Sequence, residues 1–254
     1  MEDSKIAWTN HTFNGVIGCS HVSPGCVHCY AETQNKYYKW NGGNWGPGSP
    51  RKVTSDDYWR QPFRWNKQAA QDGTRPRVFC SSLSDVMDPE WPSGVRERLW
   101  ELILQTPNLN WLLLTKRPEN FASMLPDRWA AYSNVWLGVT CENRKHGFPR
   151  VEILRNTPAV VRFLSCEPLL EDISDINLQG IDWVICGGES GSHAREFKTE
   201  WARSLRDACI GKNFFMKQLG SFVQIEIAKG EKKDPHGTDQ AHFPPDLRVQ
   251  TWPR

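Results

Sequence analysis

Three cysteines stand close together near the start of the chain, in the run Gly18-Cys19-Ser-His-Val-Ser-Pro-Gly25-Cys26-Val-His28-Cys29-Tyr30-Ala-Glu32. Cys26 and Cys29 have the two-residue spacing that wraps one metal centre. Cys19 can join them only if the intervening loop folds back, and Pro24-Gly25 supplies the turn. A structural zinc would need a fourth ligand, for which His21 and His28 are the nearby choices. A [4Fe–4S] cluster needs only the three thiolates if its fourth iron is left for a substrate or cofactor. Unliganded thiols are the third reading. The other five cysteines (Cys80, Cys141, Cys166, Cys186, Cys209) are scattered and read as small buried hydrophobes.

Something must hold such a loop. Short apolar runs recur at 15–18, 78–83, 111–115, 135–140, 160–165, 183–186 and 214–217. Several are apolar throughout, as in strands buried on both faces. Helical patterns fall between them at 27–39, 93–105, 118–124, 144–156 and 199–211, with Ser93 as an expected N-cap and Gly211 as an expected stop. Strand–helix alternation of this kind makes a parallel sheet. The expected fold is α/β, a partial (β/α) TIM-like barrel, with a doubly wound open sheet as the alternative.

The three-cysteine loop then follows the first expected strand, in the catalytic mouth of a barrel, a place that favours a cluster over a structural zinc. Polar groups follow the later strands as well: Ser84 and Asp85, Lys116 and Arg117, Glu142, Glu167, Glu189, and Gln218. In parallel α/β folds the C-terminal strand ends carry the site.

The segment 39–77 breaks the rhythm. It carries Trp40, Trp45, Tyr58, Trp59, Phe63 and Trp65, with eight Lys and Arg against three Asp, in a chain whose formal net charge is only +2. It reads as an irregular basic insertion that either packs its rings on the barrel or binds single strands or flipped nucleotides. The near-neutral total excludes a global basic field. The tail after Gly230 is polar and contains proline.

The expected organisation is one domain over 1–254. No apolar run approaches a membrane span, and the N-terminus shows no secretory h-region. The expected location is therefore the cytoplasm, where eight cysteines do not form a disulfide framework. No Gly-x-Ser-x-Gly elbow, Walker loop or His-Glu-x-x-His appears, so a hydrolase of those kinds is not expected.

Several motifs together carry a resemblance: Ala7-Trp8-Thr9, Gly18-Cys19, Val22 to Glu32, Trp136 to Thr140, Phe163 to Leu170, Trp183 to Gly191 and Phe214 to Gln218. The chain resembles the phage Gp37/Gp68 family, a domain of unknown function that looks like a divergent branch of the radical S-adenosylmethionine (SAM) superfamily. The spacing here is Cys19-x6-Cys26-x2-Cys29, where most of that superfamily has three residues in the first gap.

The resemblance implies a [4Fe–4S] cluster on Cys19, Cys26 and Cys29, and SAM, which the reduced cluster cleaves to a 5′-deoxyadenosyl radical. An external electron donor is implied too. His28 and Tyr30 become candidates for SAM contact or cluster shielding, and Ser82, Thr140, Glu142 and Glu167 for the hydroxyls and amine of SAM. Lys116, Glu189, Lys217 and Gln218 become candidates for substrate, each also readable as an ordinary rim salt bridge. Gly187-Gly188-Glu189 follows a late strand, so the superfamily's Gly-Gly-Glu role is not transferred to it. The phage association points to a nucleobase or nucleotide, for instance isomerisation of an adduct on a thymine-derived base in DNA hypermodification. A tRNA or a small molecule is the other choice, and a non-enzymatic zinc- or cluster-bearing nucleic-acid-binding module is the competing class.

Overall fold

Apolar runs without alternation become strands covered on both sides. A computed structural model of the chain describes residues 2, 4–227, 234 and 236–253. Its strands are β1 (His11–Phe13), β2 (Val16–Ile17), β3 (Lys52–Val53), β4 (Arg77–Cys80), β5 (Asn110–Thr115), β6 (Val135–Thr140), β7 (Val161–Cys166), β8 (Trp183–Gly187) and β9 (Asn213–Gln218). The helices are α1 (Tyr30–Tyr38), α2 (Asp56–Asp72), α3 (Val95–Leu104), α4 (Phe121–Met124), α5 (Arg144–Arg155), α6 (Thr199–Ala208) and α7 (Gly220–Ile227). Both β6 and β8 are buried along their whole length.

Seven strands form one sheet in the order β1-β4-β5-β6-β7-β8-β9. The order never reverses along the chain, so there is no topological switch point. This is how a barrel is wound, and it removes the doubly wound alternative. β4 runs parallel to β1 and to β5, and β8 runs parallel to β7 and to β9.

The chain divides into two compact units. The first comprises the residues up to Val22, Ala31–Gly138 and Thr157–Val160. The second comprises Ser23–Tyr30, Val139–Asn156 and the residues from Val161 onward. The cysteine loop passes from one to the other between Val22 and Ser23.

Two expectations are corrected. The run 15–18 is not the first strand of the parallel sheet. That strand is β1, while β2 pairs antiparallel with β3 in a separate two-stranded sheet. A strand as polar as His-Thr-Phe is tolerated at the sheet edge, where it has only β4 beside it. The segment 39–77 is not irregular throughout either, since it contains α2, which is 17 residues long. Ser55 caps the helix by accepting from the Tyr58 N–H, Asp56 and Asp57 sit in the first turn, and Gly73 ends it in the left-handed region at φ 64°. Its inner face carries Trp59, Pro62, Trp65 and Ala69.

Smaller shifts concern helix ends. α3 is entered from Gly94, in the left-handed region at φ 79°, rather than from a Ser93 cap. α6 stops at Ala208, and Gly211 instead makes the left-handed turn (φ 75°) before β9. In the C-terminal tail, 231–233 and 235 lie outside the described residues. Further on, Phe243 and Leu247 are buried, the Met216 N–H donates to the Val249 carbonyl, and Gln250 bridges Phe215. The tail thus covers backbone groups that the edge strand β9 would otherwise leave open. Among the described residues no helix is long and apolar enough to cross a membrane.

Candidate functional site

In the first unit the loop leaving β2 is held by two buried arginines. Gly18 takes a φ of 119° and donates its N–H to the Leu83 carbonyl at 3.0 Å. Arg51, whose side chain is fully buried, donates to Asp88 at 2.8 Å and to the Ser20 hydroxyl at 2.7 Å. Arg117 follows β5. It donates to Asp85 at 3.1 Å, to the Ser20 carbonyl at 2.9 Å and to Cys19 Sγ at 3.5 Å. Removing one partner from a buried pair of this kind strands the other charge, at a cost of about 3–5 kcal/mol. Arg51, one of the eight basic residues of 39–77, is therefore not available to a polyanion.

Ser82 exchanges hydrogen bonds with the Asn14 side chain. Lys116 is half-buried and donates its backbone N–H to Asp85. Burial pushes the Cys19 thiol up to about 12, the nearby Asp85 adds to this, and Arg117 opposes it. Cys19 is therefore a thiol at neutral pH.

In the second unit, Ser23 leads into a single 3-10 turn, Pro24–Cys26. The turn is gripped from the loop that follows β8. Arg195 donates to the Pro24 carbonyl at 2.9 Å and takes Glu189 in a bidentate pair, at 2.9 Å and 2.5 Å. Glu189 also meets His28 Nδ1 at 3.0 Å. Burial alone would raise the Glu189 carboxyl, but the bonds from Arg195 and His28 outweigh it and hold the carboxyl below its usual range.

A depressed carboxyl contributes stability above its unfolded value and loses it as pH falls through the native one. Glu189→Gln is therefore expected to be less stable than the parent at neutral pH, with the gap closing as pH falls below 4.5. Urea unfolding at stepped pH measures it, and a gap that stays constant with pH would contradict the assignment.

The Gly-Gly of this segment has a packing reason. A Cβ on Gly188 would sit 2.3 Å from the Leu219 carbonyl oxygen, and one on Gly187 would meet Gln218 at 3.1 Å and Glu167 at 3.2 Å. The Gly188 N–H donates to the Gln218 carbonyl, and the Glu189 carbonyl accepts from Ser221. Gly188→Ala must push the backbone away, with an expected cost of about 1–3 kcal/mol, readable as a lower melting temperature. An unchanged melting temperature would contradict this packing.

The remaining strand-end groups form pairs. Glu142 is fully buried, is bonded to Arg150 at 2.7 Å, and lies where a Cβ on Gly25 would meet it at 3.3 Å. Glu167 pairs with Lys217 at 2.8 Å and accepts from Ser165 at 3.2 Å. Gln218 donates to the Gly188 carbonyl and to Ser190, both at 2.7 Å. Thr140 is buried, and among the described residues its hydroxyl has no hydrogen-bond partner. Tyr30 is half-exposed. Sequence reading missed Arg195, which lies in a loop with no pattern to single it out. Asp85 and Arg117 were visible as strand-end residues but not as holders of the loop.

None of the eight cysteines is in a disulfide; Cys19, Cys26 and Cys29 are half-buried, and the other five are buried. Among the described residues no three His, Cys, Asp or Glu side chains are gathered as a metal-binding group. The donor set itself fits a cluster: three half-buried thiols on one loop, with an N–H donor already at one sulfur.

The fold is a partial (β/α) barrel like that of solved spore photoproduct lyase structures. A spore photoproduct lyase variant with bound AdoMet and dinucleoside spore photoproduct matches with a TM-score of 0.50 at 11% identity, over 83% of this chain and 64% of that one. A second lyase structure, complexed with the dinucleoside photoproduct, gives 0.51 at 12% identity over the same shares. A third gives 0.53 at 10% identity, over 83% of this chain and 76% of that one. The chain spans 64% of the length of the first of these. No curated protein matches. The family described as "Protein of unknown function (DUF5131)" matches residues 3–241, and the chain belongs to it.

Proposed function

We propose that this protein is a radical SAM enzyme whose cluster is held by Cys19, Cys26 and Cys29. The observation that carries the reading is that these three cysteines, on one loop, are the half-buried ones while the other five are buried, in a fold like that of a lyase solved with AdoMet. When bound and reduced by an external donor, the cluster supplies the electron that cleaves SAM and so starts hydrogen abstraction from the substrate.

The chain's own residues position and shield. Arg117 with Asp85, and Arg195 with Glu189, fix the two arms of the cysteine loop, so Glu189 is a positioning residue in this reading. His28 and Tyr30 flank Cys29 and shield it or contact SAM. Thr140, whose buried hydroxyl has no partner among the described residues, offers a hydrogen bond to a ligand, with Ser82, Glu142 and Glu167 as further contacts for the hydroxyls and amine. Lys116, Lys217 and Gln218 are left for the substrate. The whole chain, 1–254, acts as one catalytic domain in the cytoplasm, the host's if it is phage-encoded.

The substrate class we favour is a modified nucleobase or nucleotide, with a rearrangement in phage DNA hypermodification as the specific form. It is supported by the dinucleoside in the similar lyase structures. The outer face of α2 supports it too, since Arg60, Arg64 and Lys67 are exposed there at helical spacing. The second reading is a zinc-bearing nucleic-acid-binding module. It is favoured by the His28–Glu189 and His21–Glu32 pairs, because zinc-bound histidines commonly lean on a carboxylate. Metal analysis of protein purified without oxygen separates the two. Iron with sulfide supports the enzyme, and stoichiometric zinc that resists exchange overturns it.

A further inference from the structure

Arg117 is bonded beyond what holding a loop requires. Its side chain is 6% exposed. Nη2 donates to the Ser20 carbonyl, while Nη1 reaches both Asp85 Oδ2 and Cys19 Sγ. Asp85 is already saturated. Its Oδ1 accepts from the Met87 N–H at 3.0 Å and the Thr115 hydroxyl at 2.6 Å, and its Oδ2 from the Lys116 N–H at 3.0 Å and from Arg117. A carboxylate has about four lone-pair sites, so Asp85 has none left to offer a metal or ligand. Its function in this arrangement is to fix the guanidinium, which cannot lose its proton. A permanent positive charge and an N–H are thereby held at the sulfur of one motif cysteine.

We propose that Arg117 tunes the redox potential of the metal centre through this N–H···S contact with Cys19, and that Asp85 is the counter-charge that sets its strength. The inference rests on the cluster reading given above. Hydrogen bonds to cluster sulfurs and local charge are the levers by which a protein moves a cluster's potential. A cation beside the sulfur favours the electron-richer state, so Arg117 makes the centre easier to reduce. Asp85, being negative, acts in the opposite sense.

The test is an anaerobic redox titration of the iron-loaded chain, followed by its optical and electron-paramagnetic spectra. Arg117→Gln is expected to be about tenfold harder to reduce, which for a one-electron couple is a downward shift of about 59 mV. Arg117→Lys keeps the charge and shifts less. Asp85→Asn removes the counter-charge and shifts the potential upward. A purely structural role for the pair would loosen the loop in both variants and move both potentials the same way, or neither. Opposite signs support the proposal, and shifts of the same sign or none overturn it. If Arg117→Gln does not fold or load iron, Arg117→Lys and Asp85→Asn carry the comparison by the same criterion. Failure of the cluster reading shows separately, as a parent chain that takes up no iron and sulfide before any variant is compared.

Discussion

Cys26→Ala is expected to lose the iron–sulfur centre, and with it SAM cleavage, while leaving the fold's stability almost unchanged. Cys26 ends the 3-10 turn and is only half-buried. Substitutions at such positions usually stay within about 0.5 kcal/mol. Loss of a direct ligand should exceed the roughly 10–100-fold cost seen when only a ligand's supporting partner is removed. The contrast is Cys186→Ala. Cys186 is fully buried in β8, in register with Cys166 on β7 and Met216 on β9. That variant is expected to melt earlier yet still load iron. Iron and sulfide content with a melting curve for each variant gives the comparison. Loading retained in Cys26→Ala would remove that residue from the ligand set.

Trp59→Ala is the largest expected loss of stability, about 3–5 kcal/mol, or on the order of 10 °C in melting temperature for a chain of this size. The indole is 2% exposed, meets the Phe13 ring edge-on at 5.2 Å, and lies under the Arg98 guanidinium at 4.3 Å. It also fills the space at Gly15, where a Cβ would come within 2.5 Å of the ring. Trp59→Phe should recover part of the loss. If instead this tryptophan served to stack on bases, Trp59→Ala would weaken nucleic-acid binding with little change in melting.

That tryptophan also shows where the sequence misled. Segment 39–77 looked irregular because Pro62 interrupts its helical pattern and its apolar positions are indoles among arginines. Yet Ser55, Asp56, Asp57 and Gly73 are ordinary helix-end signals, and they mark the true bounds of α2. The strands were easier to find. Runs such as Trp183-Val-Ile-Cys are buried on both faces, so their lack of alternation is itself the signal. β1 was missed because an edge strand of three residues needs no such run.

The cysteine loop was legible from spacing alone. Its supports were not. Asp85 and Arg117 are far apart in sequence from Cys19, and only the parallel packing of β4 on β5 brings their strand ends together. Arg195 reaches Pro24 across a separation of 171 residues, which no local pattern encodes. The burial of Arg51 is not legible locally either, since it depends on a partner, Asp88, that lies elsewhere in the chain.

The most direct test of the enzyme reading is the assay for 5′-deoxyadenosine after reduced, iron-loaded protein is given SAM without oxygen. Product is expected from the parent chain and none from Cys26→Ala. A parent chain that holds its full complement of iron and sulfide, stays folded, and releases no 5′-deoxyadenosine under reduction would contradict it.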